Sequence, residues 1–210
     1  MRQFTLGLAV IGALLLSGPG AGPAKADITS LSEAMTEHVL GDPNAPVTII
    51  EYASMSCGHC AHFALDTLPD VKKNYIETGK ARLVFHDFPL GGLALAASML
   101  NRCSTGDTKR FFGFQEVMFR SLPQWAASET PREDLTRMAR FAGLSEDDVF
   151  ECFENEELQK AIIAKAEEGQ KKYQVNSTPT FVINGKIVRG ALSYEDFSKI
   201  LDDALAAAGK

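Results

Sequence analysis

Apolar positions along the chain change their spacing several times, and each change marks an element. The first run, Leu6 to Leu16, is nearly unbroken, follows the single cation Arg2 and ends at Ser17-Gly18-Pro19-Gly20, which stops any helix. Ala24-Lys25-Ala26 then fits a small-x-small cleavage pattern, so residues 1–26 read as a secretory signal peptide cut after Ala26. An uncleaved anchor fits less well, because so short an apolar stretch spans a bilayer poorly. Neither a twin-Arg pair nor a lipidation Cys lies near the site. Asp27 to Leu40 is expected to form a short helix, and residues 41–46, Gly-Asp-Pro-Asn-Ala-Pro, a turn. Val47-Thr48-Ile49-Ile50-Glu51-Tyr52-Ala53 is short, β-branched and almost continuously apolar, the signature of a strand covered on both faces. Helical spacing follows from about Cys57 to Ile76, Gly79 and Lys80 stop it, and Ala81 to His86 reads as a second strand. Strand, helix, strand implies a parallel pair with a crossover helix.

From Gly91 to Lys172 every segment reads as helix. Thr130-Pro131-Arg132-Glu133 predicts a capping box with Pro at the first helical position, Ser145 with Glu146, Asp147 and Asp148 predicts a second capped start, and Gly143 suits the residue just beyond a helix end. Phe111, Phe112, Phe114, Val117, Met118 and Phe119 form an aromatic-rich face that, like Trp125, is read as core rather than as a peptide groove. Strand character returns at Thr180 to Ile183, Asn184-Gly185 signals a type I′ hairpin, Lys186 to Arg189 runs back, and a last helix spans Ser193 to about Ala208. The order is βαβ, a block of helices, then ββα. Residues 27–90 and 173–210 are therefore expected to form one discontinuous α/β domain, with 91–172 as an all-helical insertion.

Composition narrows the class. The 210 residues are 45% hydrophobic and 23% charged, enough apolar side chain for one sizeable core. The net charge is −6, and loss of residues 1–26 removes Arg2 and Lys25 and no acid, taking it to −8. With no basic run, an electrostatic grip on nucleic acid or anionic lipid is not expected.

Export changes what four cysteines mean, because an oxidising compartment lets disulfides persist. Cys57-Gly58-His59-Cys60 sits where the first strand meets its helix. Two thiols on one helical turn can bond to each other, and the helix's positive end favours thiolate at Cys57. Unpaired N–H groups and a protonated His59 would add to this. A stabilised thiolate stabilises the dithiol form and makes the disulfide the stronger oxidant. Cys57 is then the exposed, attacked sulfur and Cys60 the shielded resolving thiol. A purely structural disulfide gains little from so short a loop, and c-type haem would need His where Ala61 stands. Zinc or copper on Cys57, Cys60 and His59 or His62 lacks a second ligand cluster, so no metal is assigned. His62 is read as the next turn of the helix.

Glu51 is the lone acid in its strand, six residues before Cys57. Buried beneath the pair, it would have a raised pKa and could accept the proton Cys60 loses before attacking; at a sheet edge it would do neither. Thr178-Pro179 precedes a strand, where a cis bond is compatible and would bare backbone groups to an extended substrate chain. Cys103 and Cys152 stand in the helical block and are expected to be bonded structurally, in a loop of some fifty residues worth about 4 kcal/mol of chain entropy; two buried free thiols are the alternative.

Together, Glu51 on a strand, C-G-H-C on the next helix, a helical insertion and Thr178-Pro179 before an Asn-Gly hairpin resemble the thioredoxin superfamily, specifically the DsbA-like thiol-disulfide oxidoreductases of the bacterial periplasm. The resemblance covers residues 41 to about 205 and implies a thioredoxin fold with an inserted all-helical domain. It implies that Cys57 carries the mixed disulfide, Cys60 resolves it, Gly58 and His59 tune the potential, Glu51 is the buried proton acceptor and Pro179 is a cis-proline preceded by Thr178. It further implies reduced exported proteins as substrates, a membrane-bound, quinone-linked DsbB-like reoxidant, and no cofactor, since the sulfur pair stores both electrons. A monomer is expected. Gly58 departs from the Pro usual in DsbA-type oxidases, and C-G-H-C is instead the pair of protein disulfide isomerase. An isomerase or reductase kept reduced by a membrane donor therefore stays open, as does a periplasmic copper-binding protein using the same Cys and His residues.

Overall fold

In a computed structural model, residues 30–104 and 107–209 are described; the signal-peptide reading of residues 1–26 lies outside them. A five-stranded sheet carries the fold, in the order β1-β3-β2-β4-β5. Strand β2 (Val47–Ala53) is central, β3 (Ala81–Asp87) lies parallel on one side, β4 (Thr180–Ile183) antiparallel on the other, and β5 (Lys186–Arg189) closes that edge. The hairpin turns on Asn184 (φ 45°) and Gly185 (φ 89°), the two positive values that a type I′ turn requires.

The expected Asp27–Leu40 helix is corrected. Among the described residues of that span only α1 (Leu31–Ala34) is helical, capped by a Ser30–Glu33 box, and Val39–Leu40 form β1, paired antiparallel with Val84 and Leu83. The open edge of β3 offers backbone partners to a β-branched pair, and local periodicity cannot register that pairing. His38, between them, is buried and stacked on Phe111 at 4.2 Å.

After β2 the chain enters α2 (Gly58–His62), a π-helical turn (Phe63–Thr67), α3 (Leu68–Val71) and a second π turn (Lys72–Ile76). Pro69 has no N–H for the carbonyl four residues before it, and the widened turn just ahead of it accommodates that loss. Among the described residues six helices separate β3 from β4: α4 (Gly92–Cys103), α5 (Thr108–Arg120), α6 (Leu122–Ala126), α7 (Pro131–Phe141), α8 (Glu146–Phe153) and α9 (Glu156–Tyr173). Gly143 (φ 95°) ends α7 in a Schellman motif, with Gly143 N–H on Arg140 O and Leu144 N–H on Ala139 O. Ser145 caps α8 through a box with Asp148. The box expected at Thr130 is absent: its ψ is 57°, not the extended value of about 170° found at Ser145, so its hydroxyl cannot lie over the first turn. Finally α10 (Tyr194–Ala208) starts at the Ser193 cap.

Two clusters lie side by side on one face of the sheet, because Val47, Ile49 and Ala53 of β2 point to the same side as Leu83 and Phe85 of β3. In one, Phe63, Phe181 and Phe197 pack ring to ring at 4.5–5.2 Å along α10. In the other, Ala53, Met55, Cys60 and Phe85 join Leu100, Phe111, Met118 and Trp125 of the helical block. The opposite face carries Tyr52 and Val182, packed with Val175. The Trp125 indole donates to Met118 O at 2.9 Å, while Val117, assigned to the core from sequence, is half exposed. Cys103 and Cys152 are disulfide-bonded, their Cα atoms 6.2 Å apart, tying α4 to α8. Helix α9 lies so close to β2 that a Cβ at Gly169 would enter the Tyr52 ring.

Candidate active site

The sheet order decides where the chemistry stands. Because β3 runs parallel to β2 and β4 antiparallel to it, the end of β2, the end of β3 and the start of β4 meet at one edge, with Ala53 opposite Asp87 and Tyr52 opposite Thr180. The turn after β2 carries Cys57 to this edge as the N-cap of α2. Thr178–Pro179, a cis peptide, stands against it.

Cys57 is half-buried and Cys60, one turn deeper, has no exposed surface. Both are thiols here. The Cys57 sulfur accepts the Cys60 N–H at 3.4 Å and lies 3.4 Å from Thr178 O, to which its thiol can donate. Its pKa falls from 9.0 to about 5. The Cys60 thiol donating to it is the largest cause, burial opposes, and Thr178 and the backbone N–H groups of Cys60 and His59 add to the fall. Burial is the main reason that the Cys60 pKa moves the other way, well above the thiol range. One sulfur of the pair is thus held ready as an anion and the other as a neutral donor.

Gly58 and His59 lie exposed on the first turn of α2. Glu51 is 3% exposed and points no edge-ward partner at solvent: its Oε1 is buried without a hydrogen bond. Desolvation, with a smaller contribution from the charge on Cys57, lifts its pKa to about 8. The same carboxylate raises the Cys60 pKa, so the two groups compete for charge. Both shifts favour the neutral form at pH 7. His62 has turned outward and pairs with Asp66 at 2.6 Å. Among the described residues no group of three or more His, Cys, Asp or Glu is placed to hold a metal. Cys103 and Cys152 are paired with each other, apart from this edge.

Sequence reasoning passed over Ser54 and the Asp87–Arg102 pair. Ser54 is fully buried, and its carbonyl accepts the Cys57 N–H at 3.0 Å. In Ala53-Ser54-Met55-Ser56 it looks like any turn serine, so no local signal marks it. Arg102 Nε meets Asp87 Oδ2 at 2.6 Å with both side chains buried, across a fold that only the tertiary contact reveals.

Comparison with known proteins agrees with this geometry. A profile of the thioredoxin family matches residues 33–203. A Rickettsia conorii protein named as a protein-disulfide oxidoreductase is 33% identical over 167 residues, covering 80% of this chain and 60% of that protein. The chain thus spans about three fifths of the length of that relative. Disulfide bond formation protein D of Bacillus subtilis is 24% identical over 169 residues, 80% of this chain and 76% of that protein. The crystal structure of Wolbachia pipientis alpha-DsbA1 superposes with a TM-score of 0.76 at 28% identity, covering 83% of this chain and 93% of that one. Sheet order, C-G-H-C placement and these likenesses converge: the chain belongs to the thioredoxin family and is a DsbA-like member of it.

Proposed function

We propose that this protein is a periplasmic thiol-disulfide oxidase that introduces disulfides into exported polypeptides. The observation that carries the reading is the division between Cys57, accessible and stabilised as a thiolate, and Cys60, buried and hard to ionise. A client thiolate attacks Cys57 of the Cys57–Cys60 disulfide, breaking the S–S bond and expelling Cys60, whose sulfur takes a proton. The client's second thiolate then attacks its own sulfur in the mixed disulfide and expels Cys57 as thiolate. Two electrons pass from client to protein; the client leaves with a new disulfide and the protein leaves as dithiol. Glu51 supplies the proton as Cys60 departs and takes it back on reoxidation, a role suited to a carboxyl that titrates near neutrality. Thr178 and Pro179 offer the client chain a place beside Cys57, and Gly58 and His59 set the potential. A membrane-bound, quinone-linked DsbB-like partner would remove the electrons. The Cys103–Cys152 bond takes no part in the exchange and holds the helical block together.

The Gly58-His59 pair favours a second reading, an isomerase or reductase kept reduced by a membrane donor. A glutathione redox titration of the purified mature chain separates the two. The oxidase reading expects a potential between about −120 and −180 mV, the range of DsbA and protein disulfide isomerase; a value near thioredoxin's, about −270 mV, rejects it.

A further inference from the structure

Away from the cysteines, the two core clusters meet at an open seam. Phe112 of α5 packs against both of them, and a crevice of about 750 Å³ opens beside it, between β1, the helical run from Ala64 to Lys72 and α5. Leu40 of β1 and Leu68 of α3 give it apolar walls. The volume is that of a small-molecule site, and such sites favour the junction of two structural units.

Three features of the walls point to an occupant. Gly113 stands in the interior of α5, where glycine is a poor helix former, and no packing explains it, because a Cβ there would meet nothing within 4 Å. It lines the crevice, and a side chain there would take up room that glycine leaves open. Gln115 also lines it, is 5% exposed and has no hydrogen-bond partner for its Nε2 among the described residues. A buried donor is costly to keep unpaired. A half-turn about its last side-chain bond exchanges the two amide atoms, so the donor is adjustable toward a ligand. The third feature is charge. Lys72, from the second π turn, and Lys109, from α5, have no ion-pair partner among the described residues, whereas Arg120 is matched by Glu116 at 2.7 Å. The crevice is therefore locally positive in a chain whose net charge is −6.

We propose that this crevice binds an anionic amphiphile, a single acyl chain ending in a carboxylate or a phosphate, at a site separate from the exchange chemistry. The tail lies along Phe112 between Leu40 and Leu68, and Lys72 and Lys109 hold the head. The site does not depend on the direction in which Cys57 and Cys60 exchange. An extended peptide adding to β1 fits less well, since that strand offers only two residues to pair with.

The test is calorimetric binding to the purified protein of laurate, dodecyl phosphate and dodecyltrimethylammonium, each below its micelle concentration, so that one tail carries three heads. Laurate or dodecyl phosphate is expected to saturate at one per chain, about tenfold tighter than the cation, and the tighter of the two names the head. Gly113→Leu improves the helix while filling the crevice, so it should weaken that binding about tenfold without lowering the melting temperature. Lys72→Gln combined with Lys109→Gln should erase the preference for the anions, while the glutathione equilibrium of the cysteines stays as in wild type. Failure of both anions to saturate, equal binding of all three heads, displacement by inorganic phosphate alone, or wild-type affinity in Gly113→Leu overturns the inference. So does an acidic peptide that binds where the amphiphiles do not, which would give the crevice to a protein partner.

Discussion

The Cys57 sulfur accepts the backbone N–H of Cys60 at 3.4 Å, across the first turn of the helix that both residues begin. The bond aims a donor at the atom that must bear charge, and it is made only when Cys57 is the N-cap. Reduced protein should therefore react with iodoacetamide along a pH curve with its midpoint near 5, far below the ordinary 9.0. The linkage has a definite sign. A thiol whose folded pKa is lowered adds stability to the reduced protein that is complete above pH 9 and lost as pH falls toward 5. The excess stability of reduced over oxidised protein should shrink across that window, as read from urea midpoints of the two forms. A midpoint of alkylation above pH 8 contradicts the account.

Glu51 has the opposite sign. Its pKa rises from 4.5 to about 8 on folding, so its contribution is complete below pH 4.5 and is lost as pH climbs to 8. Glu51→Gln should remove this slope and stabilise the protein by about 1–3 kcal/mol at pH 9. The same variant should slow the step in which Cys60 leaves or attacks, measured by single-turnover exchange at pH 7, about tenfold or more. A variant that gains stability yet exchanges at the wild-type rate would remove Glu51 from the mechanism.

Arg102 joins three segments: Nε meets Asp87 Oδ2 at 2.6 Å, and a terminal nitrogen donates to Ala34 O at 2.8 Å and Thr36 O at 3.4 Å. Asp87 ends β3 opposite Ala53, directly below the cysteine edge. Arg102→Met strands a buried carboxylate and should cost about 3–5 kcal/mol in urea unfolding, while the double variant with Asp87→Leu recovers much of it. A single-variant loss below 1 kcal/mol would show that the pair is not buried as described.

Gly169 is unusual in that alanine, ordinarily the better helix former by about 1 kcal/mol, should destabilise there. The added Cβ meets the Tyr52 ring, which is itself buried in β2 and has nowhere to move. Overpacking of this kind costs about 1–3 kcal/mol, so Gly169→Ala should lower the melting temperature by roughly 5 °C. A rise instead would mean that α9 can slide outward without loss.

Much of this molecule can be read along the chain because its decisive signals are local. The β-branched run at Val47–Ala53, the Asn184-Gly185 turn and the Ser145 cap are each specified by neighbours within a few residues. The C-G-H-C pair is equally local, since the N-cap position and the one-turn spacing alone place both sulfurs together. The edge strand Val39–Leu40 escaped such reading, because its partner lies more than forty residues away in β3. Thr130 differs for a subtler reason: the capping pattern is present in the sequence, but the backbone does not adopt the extended angle that makes it work.

Residue order by itself determined which groups stand together: two cysteines a turn apart at a helix start, with an acid on the preceding strand. Tertiary structure alone decided how each of them holds its proton. Burial turned Glu51 from an ordinary carboxyl into one titrating near neutrality, and it left Cys60 neutral while Cys57 became acidic. Desolvation drives the shifts of Glu51 and Cys60, while the fall at Cys57 comes first from the Cys60 thiol and, against burial, also from Thr178, which the fold brings up from a distant segment. Those are properties of the space around a group, which no one-dimensional pattern records.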